Sequence, residues 1–131
     1  MPLSVTALYA AILALIVVAL GINVTVHRVK LRVSLGDGGN PVMLRMMRLH
    51  GNAVEYLPLA LVLMALYELN GGIHWALHVI GIALVAGRII QTWAMLSDGL
   101  PKPGRGIGQV LTWGSIVVLA LLNLWKVATF A

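Results

Sequence analysis

The sequence predicts an all-α integral membrane protein: one domain of four transmembrane helices. Three observations carry this. Of the 131 residues, 60% are hydrophobic and only 10% charged, with a mean hydropathy of +0.97, whereas soluble chains carry roughly 25% charged residues. So few charges cannot cover a water-facing surface, which excludes a soluble globular protein, a disordered chain and a coiled coil. The apolar residues form four runs, each near the about 20 residues that cross a bilayer. The net charge of +5 comes from nine basic residues, set among those runs, against four acidic ones, and it reads as a membrane topology signal and not a nucleic-acid footprint. Cysteine is absent, which excludes disulfides, thiolate metal sites and a cysteine nucleophile.

The first span is expected over residues 3–26, from Leu3 to Val26, a stretch without a charged residue. Its apolar run exceeds the roughly 7–15 residues of a signal peptide and no Lys or Arg precedes it, so it reads as a retained span. The second, over 41–69, follows Gly38-Gly39-Asn40-Pro41, with Asn40 as N-cap and Pro41 at the first helical position. It stops at Asn70-Gly71-Gly72 and is longer than the hydrocarbon core, so its first two turns, with Arg45 and Arg48, project into the headgroup layer. The third and fourth spans are expected over 73–96 and 107–130, separated by a turn at Ser97-Asp98-Gly99-Leu100-Pro101-Lys102-Pro103-Gly104.

The first connection holds Arg28, Lys30, Arg32, Arg45 and Arg48 against Asp37, and the third holds Lys102 and Arg105 against Asp98. The second has no Lys or Arg, and the C-terminal end only Lys126. The positive-inside rule then places both basic connections in the cytoplasm and both termini outside. Trp75 and Trp125 fall near the outer interface and Trp93 near the inner one.

Ionisable groups inside membrane spans are costly and call for a reason. At about 100° per residue, Asn52 lies roughly 40° from Arg48, Glu55 about 20° to the other side, Arg45 about 60° and Tyr56 about 80° round. One face of the second helix therefore presents Arg, Asn, Glu and Tyr. An internal Arg48–Glu55 bridge with a helix-joining amide would account for part of it. It leaves Arg45, Arg88 and Arg105 in excess over one nearby acid, a surplus suited to an anionic ligand, and guanidinium groups bind carboxylates in a two-pronged way. Pro58 cannot donate to the carbonyl of Val54, so a kink one turn beyond Glu55 is expected.

The stretch Arg48-Leu49-His50-Gly51-Asn52-Ala53-Val54-Glu55-Tyr56-Leu57-Pro58 resembles the helix-two signature of the MAPEG family, the membrane-associated proteins in eicosanoid and glutathione metabolism. Its pattern is Arg-x-x-x-Asn-x-x-Glu, followed by Tyr and a nearby Pro. The resemblance covers the whole chain, including the long basic first connection, Arg88 in the third span and Arg105 at the start of the fourth. The run from His27 to Pro58 resembles the bacterial branch, which implies the bacterial inner membrane. The resemblance implies a left-handed four-helix bundle assembled as a homotrimer. Glutathione, as co-substrate, would lie between neighbouring subunits, opening toward the cytoplasmic side. Arg48, Asn52, Glu55, Tyr56 and Arg88 correspond to binding positions, Arg28 more loosely to a basic contact from the adjacent subunit, and Arg105 to the arginine that stabilises the thiolate.

That assignment is chemically coherent. Glutathione offers two carboxylates to arginines and an ammonium to Glu55. Its thiol, near pKa 8.5 when free, must ionise to attack, and Arg105 beside a helix N-terminus supplies a cation and a dipole for this. Two positions depart from the eicosanoid enzymes: Met95 stands seven residues after Arg88 and Gln91 three residues after it, where tyrosines occur in family members. No phenol is available there to bind or polarise the thiol.

His74 and His78 have i, i+4 spacing but no third ligand nearby, so interfacial anchoring, with no metal site, is expected of them and of His27 and His50. Asn23, Asn123, Gln109, Thr112 and Ser115 are expected to make interhelical hydrogen bonds, and Gly21, Gly81, Gly87 and Gly114 to permit close helix approach. The leading functional expectation is a glutathione transferase or peroxidase acting on lipophilic small molecules that enter from the membrane lipid. The alternatives are a small four-span multidrug-type transporter, which would need a free membrane carboxylate, and a non-catalytic membrane protein of the same fold.

Overall fold

The computed structural model describes residues 1–97 and 103–130, so most of the expected 97–104 turn lies outside the described residues. Four helices follow one another: α1 (Ser4–Leu31), α2 (Pro41–Leu69), α3 (His74–Leu96) and α4 (Pro103–Phe130). Each is long and apolar enough to cross a membrane.

The termini of α2 are those its residues dictate. Asn40 Oδ1 accepts from the backbone N–H of Val42 at 2.9 Å and of Met43 at 3.2 Å, with Pro41 as the first helical residue. At the far end Gly71 takes φ +73° and the chain turns into α3. The helix is continuous through Pro58. Two boundaries differ from the expected spans. α1 continues five residues past Val26 to Leu31, where Arg32 ends it in the left-handed region at φ 56°. α4 begins at Pro103 and not near 107, so Arg105 belongs to its first turn instead of preceding it. Hydropathy marks where the hydrocarbon ends, whereas a helix runs until a Gly, Pro or cap stops it.

α1 packs on α2 and α3, and α4 packs on α2 and α3, while α2 and α3 also touch. Among the described residues α1 and α4 make no contact. α2 and α3 thus occupy the short diagonal of the bundle, with α1 and α4 on opposite flanks. Leu13, Leu49, Ala53, Leu57, Met64, Leu77, Leu84 and Leu119 form the sealed interior. The outward surface is aliphatic: Leu15, Val18, Val62, Ile82, Val117 and Leu124 all stand exposed, as do Trp75, Trp93, Trp113 and Trp125. A surface like this is matched by lipid, not water.

Small residues set how closely the helices approach. Tyr9 of α1 lies directly on Gly81, with no room for a Cβ there, and its hydroxyl is 2.9 Å from His78 Nδ1. Gly87 and Gly108 face one another where α3 and α4 cross: a Cβ on Gly108 would meet Gln91 Cβ and the Gly87 carbonyl oxygen, each at 2.6 Å. Gly108 was not singled out in the sequence, and Gly114, which was, has nothing within 4 Å of its would-be Cβ. Gly108→Ala should therefore cost about 1–3 kcal/mol of unfolding free energy through overpacking. Gly114→Ala should be neutral or stabilising by up to about 1 kcal/mol from helix propensity. Unfolding of the detergent-solubilised variants in a graded denaturant measures both.

Polar side chains join the helices at depth. Asn123 Nδ2 donates to Leu63 O of α2 at 3.0 Å, and Asn23 Nδ2 approaches Met46 Sδ at 3.0 Å. Ser115 instead donates to Leu111 O of its own helix at 2.6 Å, so it makes no interhelical bond. One further tie was not anticipated. Glu68, 5% exposed near the end of α2, accepts from Val5 N at 2.9 Å, Thr6 N at 2.7 Å and Thr6 Oγ1 at 2.6 Å. It supplies the acceptor that the first turn of α1 lacks, since Leu3 offers no capping side chain.

Candidate functional site

The polar cluster lies at the end of the bundle where α1 and α3 finish and α2 and α4 begin. On α2, Arg48 and Glu55 are two helical turns apart and share a face. Arg48 Nη1 donates to Glu55 Oε1 at 3.2 Å and Nη2 to Oε2 at 3.4 Å, with both side chains about half exposed. Glu55 is thus not a free carboxylate.

Arg88 of α3 is 1% exposed and works inside the bundle. Its Nη1 donates to Asn52 Oδ1 of α2 at 2.9 Å and its Nη2 to Thr112 Oγ1 of α4 at 2.6 Å. Thr112 Oγ1 in turn donates to Gly108 O at 3.1 Å. One guanidinium therefore links three helices and fixes Asn52, while its Nε has no partner. A planar group with five donors can do this where a lysine could not.

In front of this link is a cavity of about 420 Å³ lined by Arg48, Asn52, Gln91, Met95, Arg105, Gly106, Gln109 and Trp113. Its volume is within the roughly 300–1,000 Å³ of small-molecule sites. Arg105, Gln109 and Trp113 follow one another at i, i+4, i+8 and so form a single stripe of α4. Trp113 also meets Tyr56 of α2 edge to face, with ring centroids 6.2 Å apart. Among the described residues the lining holds two arginines and no acid, and Gln91 Oε1 and Gln109 Nε2 are buried without hydrogen-bond partners. Such a lining is chemically complementary to an anion that also carries hydrogen-bonding groups.

The family model for the MAPEG family matches residues 6–125. The chain belongs to the MAPEG family. The inner membrane protein YecN of Escherichia coli strain K12 is 40% identical over 121 residues, spanning 92% of this chain and 91% of that protein. YecN of E. coli O6:H1 strain CFT073 matches with the same identity and coverage. The match runs from α1 into the last turns of α4, so all four helices are MAPEG elements.

Within this MAPEG bundle the expected site residues divide into groups. Arg48, Asn52 and Arg105 come together around the cavity. Arg88 reaches it only through Asn52, Glu55 through Arg48, and Tyr56 through Trp113. Arg28 stands apart: its Nη1 donates to Gly36 O at 2.8 Å and Val33 O at 3.4 Å, closing the connection after α1. Thr112 makes the interhelical hydrogen bond expected of it, to Arg88, whereas Gln109 Nε2 has no partner; Trp113 and a cavity-lining role for Gln91 are additions from the structure. The i, i+4, i+8 spacing with Arg105 was the available signal for Gln109 and Trp113.

Proposed function

We propose that this protein is a glutathione-dependent membrane enzyme that adds the thiolate to lipophilic electrophiles or reduces lipid hydroperoxides. The observation that carries the reading is the cavity between Arg48 and Arg105, without an acid among the described residues, in a MAPEG chain. The carboxylates of glutathione would pair with guanidinium groups, and its ammonium would compete with Arg48 for Glu55. Arg105, in the first turn of α4, adds its charge to the positive end of the helix dipole and would favour the thiolate. Met95 lines the cavity as a thioether and donates nothing, so ionisation rests on Arg105. Lipophilic partners would reach the thiolate from the bilayer past Trp113, which is exposed on the lipid-facing surface. A proton-coupled exporter is disfavoured because Glu55, the carboxylate it would need, is already paired.

A homotrimer with a left-handed bundle in each subunit, in the inner membrane with termini outside and basic connections cytoplasmic, is part of the same proposal. The Arg48–Glu55 pair supports it: half exposed on a membrane span, it gains from a second chain that shields it from lipid. Native mass spectrometry in mild detergent should give a dominant species near three times 14.0 kDa; a dimer would contradict the three-fold assembly.

Glutathione at millimolar concentration should raise the thermal unfolding midpoint of the purified protein, as any ligand selective for the native state does. Arg48→Ala and Glu55→Gln should each diminish that rise. A wild-type protein indifferent to glutathione would overturn the site assignment.

A further inference from the structure

We infer that Gln91 and Gln109 read a secondary amide flanking the thiol-bearing residue of the bound peptide thiol, so that the site selects an amide-containing thiol over one without it. The inference rests on the glutathione reading of the cavity and adds what the arginines cannot provide. Arginines recognise carboxylates; they do not distinguish a peptide thiol from another anionic thiol.

Gln91 is 7% exposed, and its Oε1 is buried with no donor. Gln109 Nε2 is buried with no acceptor. The two side chains belong to facing stretches of α3 and α4, because Gln91 packs on Gly108, whose Cβ would lie 2.6 Å from Gln91 Cβ. Both line the cavity that holds Arg48 and Arg105.

Buried amide atoms without partners are costly and uncommon in native interiors. Here one is an acceptor and the other a donor, on two side chains that line the same cavity. A secondary amide is their complement: its N–H meets Gln91 Oε1 and its carbonyl oxygen meets Gln109 Nε2. Gln109 lies one helical turn from Arg105, so an amide held there is within a few bonds of a thiol held at Arg105. Glutathione has an amide on either side of its cysteine. A thiol that lacks such a group would leave both glutamines unsatisfied, and this kind of mismatch discriminates strongly.

The test is isothermal titration of the full-length protein in detergent micelles with glutathione and two analogues. In each analogue one of the two amide N–H groups is replaced by an ester oxygen. The wild-type protein should bind one of the esters about tenfold more weakly than glutathione, the worth of one hydrogen bond at the upper end of the usual range. Gln91→Met, close in volume, should weaken glutathione by about the same factor and leave that ester nearly unchanged. Gln109→Met should weaken all three ligands alike, since all keep their carbonyls. Equal binding of glutathione and both esters by the wild type would mean that water satisfies the glutamines, and would overturn the inference. Equal weakening of all three ligands by Gln91→Met would overturn it too. If the wild type binds none of the three, the glutathione reading itself fails, a result distinct from both.

Discussion

Arg105→Ala is expected to lower conjugation of a model lipophilic electrophile by roughly 25-fold at pH 7 while glutathione still binds. A thiol held near pKa 6.5 is mostly ionised at pH 7, whereas one at about 8.5 is only about 3% thiolate. Arg105 is exposed until a ligand covers it, and two units correspond to roughly 2.7 kcal/mol of differential stabilisation, within reach of a guanidinium shielded by the bound peptide and a helix N-terminus together. The defect should be pH-dependent with a definite sign. The variant's rate should climb as pH rises through about 8.5, while the wild type has levelled off above about 6.5, so the two converge in alkaline solution. Binding should persist because Arg48 and Asn52 remain, the latter still held by Arg88. Steady-state rates across pH, with the glutathione affinity of each protein measured separately, check this. Unchanged activity in the variant would remove Arg105 from the mechanism.

Glu68→Ala should be the most destabilising single change outside the site. Its carboxylate takes three hydrogen bonds from the first turn of α1 in a setting where only 5% of the residue is exposed. Removing it leaves two backbone N–H groups and a hydroxyl without an acceptor, a loss of about 3 kcal/mol or more. Glu68→Gln keeps one acceptor oxygen but not the charge, and should cost roughly half as much. Because the bond ties the start of α1 to the end of α2, α1 should be the element that loosens. Hydrogen exchange should then rise at the α1 N-terminus before it rises in α3. Graded-denaturant unfolding gives the energies and exchange gives the location.

These two residues show what the sequence could reveal. Four spans follow from hydropathy alone, and the Arg48–Glu55 pair follows from helical periodicity, because both signals lie within one segment. Asn40 and Pro41 marked the start of α2 correctly for the same reason. The partners of Arg88 and Glu68 were not legible. Thr112 lies on α4 and Val5 on α1, and which faces meet depends on packing that no single segment encodes. Gly108 and Gly114 look alike in sequence, six residues apart on α4, but only Gly108 faces α3. α1 and α4 extend beyond the expected spans because hydropathy reports the bilayer and not the helix. As for the cavity, its arginines were found as surplus charge, whereas the glutamines, being neutral, gave no comparable signal.

We propose that this MAPEG cavity binds glutathione and ionises its thiol. The most direct measurement is the ultraviolet difference absorption of thiolate while the detergent-purified wild-type protein is titrated with glutathione at neutral pH. The wild type should give a saturable thiolate signal that is lost in Arg105→Ala, although that variant still binds. Glutathione that binds without any thiolate absorption, or a signal of equal size in Arg105→Ala, would contradict it.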